Sequence, residues 1–547
     1  MSTSLKEAGL ELNADVLIIG GGPAAAWAAW GAATNGAKTI LVDKGYCGTS
    51  GATAPSGTGV WVIPPVKEAR DKAKAEREAL GGYLASHEWM DRVLDQTWEN
   101  INLVEQWGYP FTRDENGNLI RRGVQGPEYM RVMRKVVKKA GVQILDQSPA
   151  LELLVDENGA VAGARGIQRQ ENRPWTIRAG AVVIATGGCA WLSKALGCNT
   201  NTGDGYLFAA EVGGDLSGME FSNHYAISSV INGSVTKGVP FGWASMYDES
   251  GNEIGGFRHG RRSTSHLAKT LLKGPVYATI DHANEEVQAI LRSAQPNFFL
   301  PYSKAGIDPF KDRFPITLVL EGTVRGTAGI RLVDESCAAS VPGLYAAGDA
   351  ATRELICGGF TGGGSHNAAW AICSGHWAGQ GAAKHAKSLG EHAHQRQVRG
   401  AGRVGLLSSR ETDKVYHNDE VLKGVQDELF PYDKNMLKTE SSLLNSLAKL
   451  NGLWNEIQAN PDVATPRNRL RSREIAALVT TARWSYFSGL ERKETRGEHR
   501  RLDYPSIDPN QHHYLISGGF DKVWVRPEKA PVSPALVAKK KEAEVAV

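Results

Sequence analysis

Residues 14–43 of the chain read ADVLIIGGGPAAAWAAWGAATNGAKTILVD. Ala14–Ile19 is an apolar run apart from Asp15, as expected of a parallel strand that is buried on both faces. A helical stretch follows from Pro23 to Asn35, and Lys38–Val42 predicts a second strand. This order of elements predicts one βαβ unit and therefore an α/β fold.

The turn between the first strand and the helix has the pattern G-x-G-x-x-A at Gly20, Gly22 and Ala25. Gly20 permits the tight turn, Gly22 lets a pyrophosphate approach the backbone, and Ala25 lets the helix pack closely on the strand. Asp43 follows the second strand, where an acidic side chain accepts hydrogen bonds from an adenosine ribose. These residues predict a dinucleotide site, with the pyrophosphate at the helix N-terminus.

Composition restricts the classes of function and partner. At about 150 residues per domain, the 547 residues predict roughly two to four domains. The 62 basic and 59 acidic residues give a net charge of +3, so we expect neither nucleic acid nor a membrane as partner. The 62 glycines exceed the usual share of about 7%, which is typical of chains that approach a nucleotide closely.

Cysteine spacing and hydropathy indicate the compartment. The six cysteines form no CxxC pair, so we expect neither a disulfide scaffold nor a bound metal. No basic segment followed by an apolar run begins the chain, and no run reaches about 18 uninterrupted apolar residues. We therefore expect a cytoplasmic protein that does not span a membrane.

Changes in composition along the chain predict five segments. Glycine, proline and aromatic residues interrupt residues 221–314, which predicts a mixed insert able to move as a lid. Apolar residues at helical spacing, such as Leu443, Leu447 and Leu450, predict C-terminal helices. The segments are a nucleotide-binding domain at 1–220, a capping or substrate domain at 221–314, the second part of the nucleotide-binding domain at 315–400, a helical domain at 401–526, and a disordered tail at 527–547.

Three further glycine-rich segments indicate which dinucleotide is bound. A second G-x-G-x-x-G unit for a nicotinamide nucleotide is not visible. The segments TSGATAPSGTG at Thr49–Gly59, ATGG at Ala185–Gly188 and GLYAAGDA at Gly343–Ala350 favour FAD instead.

Together with TGDG at Thr202–Gly205 and RKETRGEHRRLDYP at residues 492–505, these segments resemble the flavoprotein subunits of succinate dehydrogenase and fumarate reductase, and their relative L-aspartate oxidase. The resemblance covers most of the chain. It implies an α/β fold with a discontinuous Rossmann-type FAD-binding domain, an inserted α+β capping domain and a C-terminal helical domain.

The resemblance also implies how FAD is held. A helix that begins at Gly364 is expected to point at the isoalloxazine and to favour an anionic reduced flavin, the expected active form. Respiratory members of the family often carry a histidine that bonds covalently to flavin in the loop matching residues 47–57. Here that loop has no histidine, so FAD should be non-covalent. The expected reductant of the flavin is NADH or NADPH. The expected FAD contacts are Gly20, Gly22, Pro23, Ala24, Ala25, Asp43, Lys44, Thr49, Ser50, Gly51, Thr53, Ser56, Gly57, Thr186, Gly187, Asp204, Gly348, Asp349, Gly364, Ser365 and His366.

Two departures from the family concern the substrate. The family segment HGANRLGGNSL supplies an arginine for one substrate carboxylate, and here the aligned segment is ICGGFTGGGSH, with Phe360 in its place. The family segment HYTMGGI becomes Val324–Ile330 and loses its histidine. A buried carboxylate without its arginine costs several kcal/mol, so a C4 dicarboxylate should bind poorly. We expect a smaller or less charged carboxylate as substrate.

The expected catalytic residues are His224, Arg261, Arg325 and Glu220. His224 matches the family's substrate-side histidine, Arg261 lies roughly where the family keeps its catalytic arginine, and Arg325 could hold a carboxylate. Each of three residues also has a structural alternative. His224 could be a buried, hydrogen-bonded histidine, Arg261 could belong to a solvated basic patch, and Glu220 could form a salt bridge. Other residues are expected to brace the helical domain against the flavin domain, namely Arg496, Gly497, His499 and Asp503.

The leading hypothesis is an FAD enzyme acting on a small 2,3-unsaturated carboxylate. The length and the missing dicarboxylate contact resemble the 2-haloacrylate hydratases, which implies reduced-flavin-dependent hydration and dehalogenation of 2-haloacrylate to pyruvate. One alternative is a fumarate-reductase-like enoate reductase or dehydrogenase that passes hydride through flavin N5. Another is a flavoprotein subunit that relays electrons to a partner. The sequence is compatible with a homo-oligomer.

Overall fold

The computed structural model describes residues 9–231, 238–254, 264–361, 363–406, 416–458, 461, 465–532 and 536. The elements up to residue 217 are β1 (Leu10–Ile19), α1 (Pro23–Thr34), β2 (Thr39–Val42), β3 (Gly57–Gly59), α2 (Lys67–Leu80), α3 (His87–Gln106), β4 (Gly123–Gln125), α4 (Gly126–Lys139), β5 (Gln143–Leu145), β6 (Ala150–Val155), β7 (Val161–Gln168), β8 (Arg173–Ile184), α5 (Asp204–Glu211) and β9 (Leu216–Ser217).

The insert contributes β10 (His224–Ser229), β11 (Ser245–Tyr247), α6 (Thr264–Leu271), β12 (Val276–Thr279), α7 (Glu285–Ala294), α8 (Pro296–Ala305) and β13 (Phe314–Gly322). The chain then forms β14 (Gly329–Ile330), β15 (Leu344–Ala346), α9 (Glu354–Cys357), α10 (Gly363–Leu389), α11 (His392–Gln395) and β16 (Arg399–Gly400). The last elements are α12 (Asn418–Leu429), α13 (Tyr432–Asn435), α14 (Glu440–Ile457), α15 (Pro466–Glu491), β17 (His513–Gly518) and β18 (Trp524–Lys529). Short 3₁₀ helices lie at Met219–Phe221, Val239–Trp243, Gly348–Ala350 and Pro509–Gln511.

The main sheet has the strand order β16-β6-β7-β8-β1-β2-β5, and β15 also pairs with β8. β1 runs parallel to both β2 and β8, with Ile18 opposite Leu41 on one side and Val183 on the other. The last four residues of β1 are buried beneath α1 and α10, as the largely apolar run at residues 14–19 predicts. The carboxyl ends of β1, β2 and β8 therefore lie at one edge of the sheet.

Helix α1 packs closely against α10. A side chain at Gly379 of α10 would place its Cβ 2.1 Å from the backbone oxygen of Ala28, and Gly375 approaches Ala24 in the same way. The glycines of α10 and the alanines of α1 thus let two backbones meet, which fixes the start of α1 above the edge of the sheet.

The insert forms its own antiparallel sheet in the order β10-β13-β12-β11. The sequence predicts an end of the insert at residue 314, but β13 begins there and pairs with β10 and β12. The capping sheet therefore extends to Gly322. The predicted boundary lies too early because the two partner strands of β13, β12 and β10, are about 40 and 90 residues away in sequence, which leaves no local signal.

The C-terminal part contains the expected helices α12–α15, with a capping box at Thr439 and Ser442 that begins α14. It also contains β17 and β18, which join β9 and β14 in a sheet that reaches back to the flavin-domain part of the chain. The predicted helical domain is thus not all helical. The tail predicted to be disordered from residue 527 is ordered through Lys529, where β18 pairs with β17.

No helix in the described parts of the chain has the length and hydropathy that a membrane span requires.

Candidate active site

A cavity of about 570 Å³ opens at the carboxyl edge of the main sheet and extends to the capping sheet. This is the place and the size expected of a ligand site in an α/β fold. Most of the expected FAD contacts line it, namely Gly20, Gly22, Pro23, Ala24, Asp43, Lys44, Ser50, Gly51, Thr53, Gly57, Thr186, Gly187, Asp204, Gly348, Asp349, Gly364 and Ser365.

Two glycines of the first turn differ in their surroundings. Gly20 has φ +129°, and a Cβ there would lie 2.2 Å from the backbone oxygen of Ala185, so only glycine permits this turn. Gly22 caps α1 with ordinary backbone angles, and a Cβ there would meet nothing within 4 Å. The open space in front of Gly22, at the N-terminus of α1, fits a pyrophosphate that approaches the backbone.

Asp43 follows β2 and is almost completely buried beside the first turn. Its Oδ2 accepts a 2.5 Å hydrogen bond from the Ser50 hydroxyl. Burial raises the pKa of the Asp43 carboxyl, and the bond to Ser50 opposes that rise. The carboxyl is therefore held in one orientation at the cavity wall, as a ribose contact requires.

Lys44 joins three elements at the floor of the cavity. Its Nζ lies 2.7 Å from Asp204 at the start of α5 and 2.9 Å from Glu474 in α15. Burial lowers the pKa of the Lys44 ammonium, but the two carboxylates outweigh burial and the pKa is raised overall. The C-terminal helix α15 is in this way tied directly to the FAD site.

Arg353 is a site residue that the sequence reasoning missed. It is fully buried, forms an ion pair with Asp349, and donates hydrogen bonds to the backbone oxygens of Val324 and Gly326 on either side of Arg325. It therefore fixes the loop that carries Arg325 relative to the flavin-domain turn. Its position four residues after Asp349, in a glycine-rich segment, was the only sequence signal.

Four of the expected FAD contacts lie outside the set that lines the cavity. Ala25 is buried within α1, and Thr49 and Ser56 bond within their own turns. The ring of His366 packs on the ring of Trp61, with 4.5 Å between centroids. None of the four is among the residues that line the cavity, so their contact with FAD remains a prediction.

His224 lines the capping side of the cavity, at the start of β10. Its Nδ1 lies 3.1 Å from Oε1 of Glu498, whose side chain is only 6% exposed. Burial alone would raise the pKa of the Glu498 carboxyl, but His224, Arg500 and the backbone N–H of Thr361 together outweigh burial, and the pKa lies below its usual value. The sequence reasoning missed Glu498, although it belongs to the segment at residues 492–505 that carries the family resemblance.

Glu220 does not line the cavity, so the expected catalytic role is wrong for this residue. Its fully buried carboxyl accepts a 2.7 Å hydrogen bond from Nε of Arg492. Burial raises the pKa of Glu220, and Arg492 opposes that rise. The salt-bridge alternative that the sequence favoured is the one found, and it joins the segment that leads into the insert to the C-terminal region.

Arg325 lines the cavity near His224, and its Nε lies 3.2 Å from the fully buried Glu321. Apolar residues complete this part of the wall, namely Ile227, Val239 and Val324. Arg261 lies outside the described residues, but Thr264 of α6 and Gln295 of the capping domain reach the cavity rim.

Two of the C-terminal residues expected to brace the domains, Arg496 and Gly497, contact the flavin-domain part of the chain, whereas His499 bonds to Arg492 and Asp503 pairs with Arg501, both within the C-terminal region. Gly497 has φ +59°, and a Cβ there would lie 2.0 Å from the backbone oxygen of Gly359. Arg496 bonds to the backbone oxygen of Gly82 and pairs with Glu494. The same segment therefore carries Glu498 to His224.

Comparison with models of protein families shows the family to which the chain belongs. The FAD binding domain model matches residues 15–368, and the model described as fumarate reductase flavoprotein C-term matches residues 430–532. The chain belongs to the FAD-binding flavoproteins of the fumarate reductase family. It is thus an FAD-dependent oxidoreductase, and the predicted family and fold class are confirmed.

Named relatives span almost the whole chain. One of the subunits of fumarate reductase (CoM/CoB) from Methanothermobacter marburgensis is 24% identical, over 90% of this chain and 95% of the relative. The fumarate reductase flavoprotein subunit of Escherichia coli is 25% identical, over 92% of this chain and 90% of the relative.

Two solved structures have the same fold. A quinol fumarate reductase chain of E. coli covers 96% of this chain and 98% of its own length, with a TM-score of 0.81 and 21% identity. Adenylylsulfate reductase of Archaeoglobus fulgidus covers 95% of this chain and 96% of its own, with a TM-score of 0.73 and 20% identity.

Proposed function

We propose that the protein reduces a 2,3-unsaturated monocarboxylate to its saturated counterpart, or catalyses the reverse dehydrogenation, with hydride passing through flavin N5. One observation carries the proposal: a single cavity joins the dinucleotide turn at Gly22 to His224 and Arg325. Dinucleotide and substrate contacts therefore share one space, as hydride transfer between a cofactor and a small molecule requires.

The residues at the sheet edge fit FAD. The open space at Gly22 suits the pyrophosphate, the fixed carboxyl of Asp43 suits a ribose, and Gly364 and Ser365 place the start of α10 on the cavity wall. When bound, FAD supplies two-electron hydride chemistry that amino-acid side chains lack. We propose that it is held non-covalently.

Arg325 is the residue that we propose binds the substrate carboxylate. Glu321 engages its Nε and so holds the guanidinium at the wall, while Arg353 holds the backbone on both sides of it. A guanidinium fixed in this way binds a carboxylate with little further loss of side-chain entropy. We propose that His224, on the same wall, carries the proton that accompanies the hydride.

The apolar wall favours a monocarboxylate. Ile227, Val239 and Val324 lie near the substrate end, and Arg325 is the one guanidinium among the described residues that line the cavity. A second carboxylate placed against apolar side chains would lose its hydration without gaining a partner. We therefore propose that fumarate is a poor substrate.

Hydration and dehalogenation of 2-haloacrylate to pyruvate, the leading expectation from sequence, gains no support from the relatives, which are named as reductases. The reductase alternative fits them better. Both relatives are also named as subunits, which supports electron supply through a partner chain as a further proposal and leaves NADH or NADPH as a reductant to be tested.

One assay separates these reactions. The purified holoenzyme is incubated anaerobically with a measured amount of chemical reductant and 2-chloroacrylate, and in parallel with an unsubstituted 2-enoate. We expect one saturated acid for each two electrons consumed. Chloride and pyruvate in large excess over electrons consumed would establish the hydratase instead, and fumarate turnover faster than that of any monocarboxylate would refute the proposed substrate class.

A further inference from the structure

We propose that Glu498 is the positioning residue for His224: it fixes the tautomer of the imidazole and stabilises its protonated form, so that Nε2 delivers a proton into the cavity. This inference rests on the proposed function, because it assigns a partner to the proton carrier of that reaction. The segment at residues 492–505 thereby positions His224 in addition to bracing the domains.

The geometry places a fixed carboxylate behind a cavity-lining imidazole. Oε1 of Glu498 lies 3.1 Å from Nδ1 of His224, and the Glu498 side chain is shielded from solvent. A neutral imidazole that donates its Nδ1 hydrogen to a carboxylate leaves Nε2 as the acceptor, and a protonated imidazole offers Nε2–H as a donor. Glu498 thus determines which nitrogen exchanges protons with the cavity.

Three contacts hold Glu498 in this position. Its backbone N–H donates a 2.7 Å hydrogen bond to the oxygen of Gly359, and its backbone oxygen accepts one from Asn223, the residue before His224. The backbone N–H of Thr361 donates to its carboxylate. The side-chain amide of Asn223 therefore ties the backbone of Glu498 to the residue that precedes His224, and the pair is preorganised.

The surrounding charges keep the carboxylate ionised. The positive groups that act on it are Arg500 from its own segment and Arg77 from α2. The nearby Cys357 thiol is fully buried, and burial raises its pKa, so that it stays neutral. An ionised, buried carboxylate stabilises an imidazolium more strongly than an exposed one does, because water screens it less.

The proton transfer accompanies a two-electron reduction of the alkene. Bound reduced FAD would supply the hydride for the alkene carbon that is β to the carboxylate, and it would be oxidised in doing so. The α carbon then takes a proton from Nε2 of the His224 imidazolium. One N–H bond breaks, one C–H bond forms, and neutral imidazole remains hydrogen-bonded to the Glu498 carboxylate until solvent restores the proton.

A double-mutant cycle tests the inference. Glu498→Gln, His224→Ala and the double variant are compared with the wild type, with FAD content and the melting temperature recorded for each. We expect Glu498→Gln to lower kcat about 10-fold or more with KM changed less than about 2-fold. In the His224→Ala background the same change should have an effect of less than about 2-fold.

Asp156→Asn is the matched control, since Asp156 is also buried and ion-paired, 3.0 Å from Arg396, but lies away from the cavity. It should alter melting without altering kcat. An equal loss from Glu498→Gln in both backgrounds would show that Glu498 acts only on folding and would overturn the inference alone. Full activity of His224→Ala would overturn the proposed role of His224 as well.

If Glu498→Gln does not fold, the tautomer of His224 in the wild type decides the matter. Nitrogen-15 NMR of histidine-labelled protein, with the signal assigned by its loss in His224→Ala, should show hydrogen on Nδ1 in the neutral ring. Hydrogen on Nε2 instead would overturn the inference.

Discussion

The guanidinium carbon of Arg77 lies 5.4 Å from the centre of the Phe360 ring, and the same group donates hydrogen bonds to the backbone oxygens of Phe360 and Thr361. A buried cation thus sits beside the residue that replaces the family's carboxylate-binding arginine. Neither Arg77 nor Phe360 lines the cavity, however. We infer that Arg77 holds the loop after α9 and does not substitute for the missing arginine.

Fumarate turnover tests this interpretation of Arg77. We expect the wild type to turn over fumarate about 100-fold more slowly than the preferred monocarboxylate, the equivalent of about 3 kcal/mol of lost binding. Arg77→Gln should not slow fumarate further. Rapid fumarate reduction that disappears in Arg77→Gln would show that Arg77 binds the second carboxylate.

Two alanine substitutions in the first turn should separate cofactor binding from folding. Gly22→Ala has room for its Cβ, so the apoprotein should melt normally but lose most of its FAD, because the methyl group enters the space proposed for the pyrophosphate. Gly20→Ala should destabilise the apoprotein by roughly 1–3 kcal/mol, since its Cβ would overlap Ala185 and its φ is +129°.

Flavin absorbance per chain and apoprotein melting are the measurements for this pair. Acid precipitation of the wild type should also release the flavin into solution. Full FAD content in Gly22→Ala, or flavin that stays with the precipitate, would contradict the proposed mode of binding.

Glu354 should make stability depend on pH. Burial, with Glu220 nearby, raises the pKa of its carboxyl from the usual 4.5 to about 8. The folded state therefore holds this proton more tightly than the unfolded state does. The protonated carboxyl stabilises the fold fully below about pH 4.5, and this contribution is lost as pH rises to about 8. The free energy of unfolding of the wild type, relative to Glu354→Gln, should fall by a few kcal/mol across this window.

Urea unfolding of both proteins at pH 5, 6, 7 and 8 measures this difference. Gln replaces the carboxyl by a neutral group of the same shape, so the variant lacks the titration and keeps the packing. A difference that stays constant, or that grows with rising pH, would contradict the predicted sign.

Glu220→Gln should affect stability and not chemistry. The change leaves the buried Arg492 with one charged partner fewer, because Glu494 is its remaining ion pair. We expect a loss of about 3–5 kcal/mol in unfolding free energy, with kcat of the folded fraction unchanged. Thermal melting and kcat per bound FAD check this, and a large loss of kcat at full FAD content would restore a catalytic role.

The first βαβ unit could be predicted because its signals are local. Ala14–Ile19, the glycine turn and Pro23–Asn35 each carry their own pattern. The observed β1 contains the first, the turn follows it, and α1 ends at Thr34, one residue before the predicted end. The joining of the β17–β18 hairpin to the sheet could not be predicted, because it depends on pairing between β17 and β9, about 300 residues earlier. Pairing between strands that are far apart in sequence leaves no pattern that can be seen in either strand alone.

The residues of the site likewise fall into those that have a local sequence signal and those that have none. The glycines and Asp43 could be predicted because a dinucleotide demands a fixed local spacing. The pairing of Glu498 with His224 could not, since the two residues are far apart in sequence and only the packed C-terminal segment brings them together. Arg353 was hidden for a similar reason, because its hydrogen bonds reach backward to the loop that contains Arg325.

The most direct measurement of the proposed function is a single turnover. Enzyme with its flavin fully reduced is mixed anaerobically with excess 2-enoate or fumarate in a stopped-flow instrument, and flavin absorbance and products are followed together. We predict that the monocarboxylate oxidises the flavin at least 10-fold faster than fumarate, with about one saturated acid formed per flavin. Flavin that stays reduced while the substrate is consumed, or faster oxidation by fumarate, would contradict it.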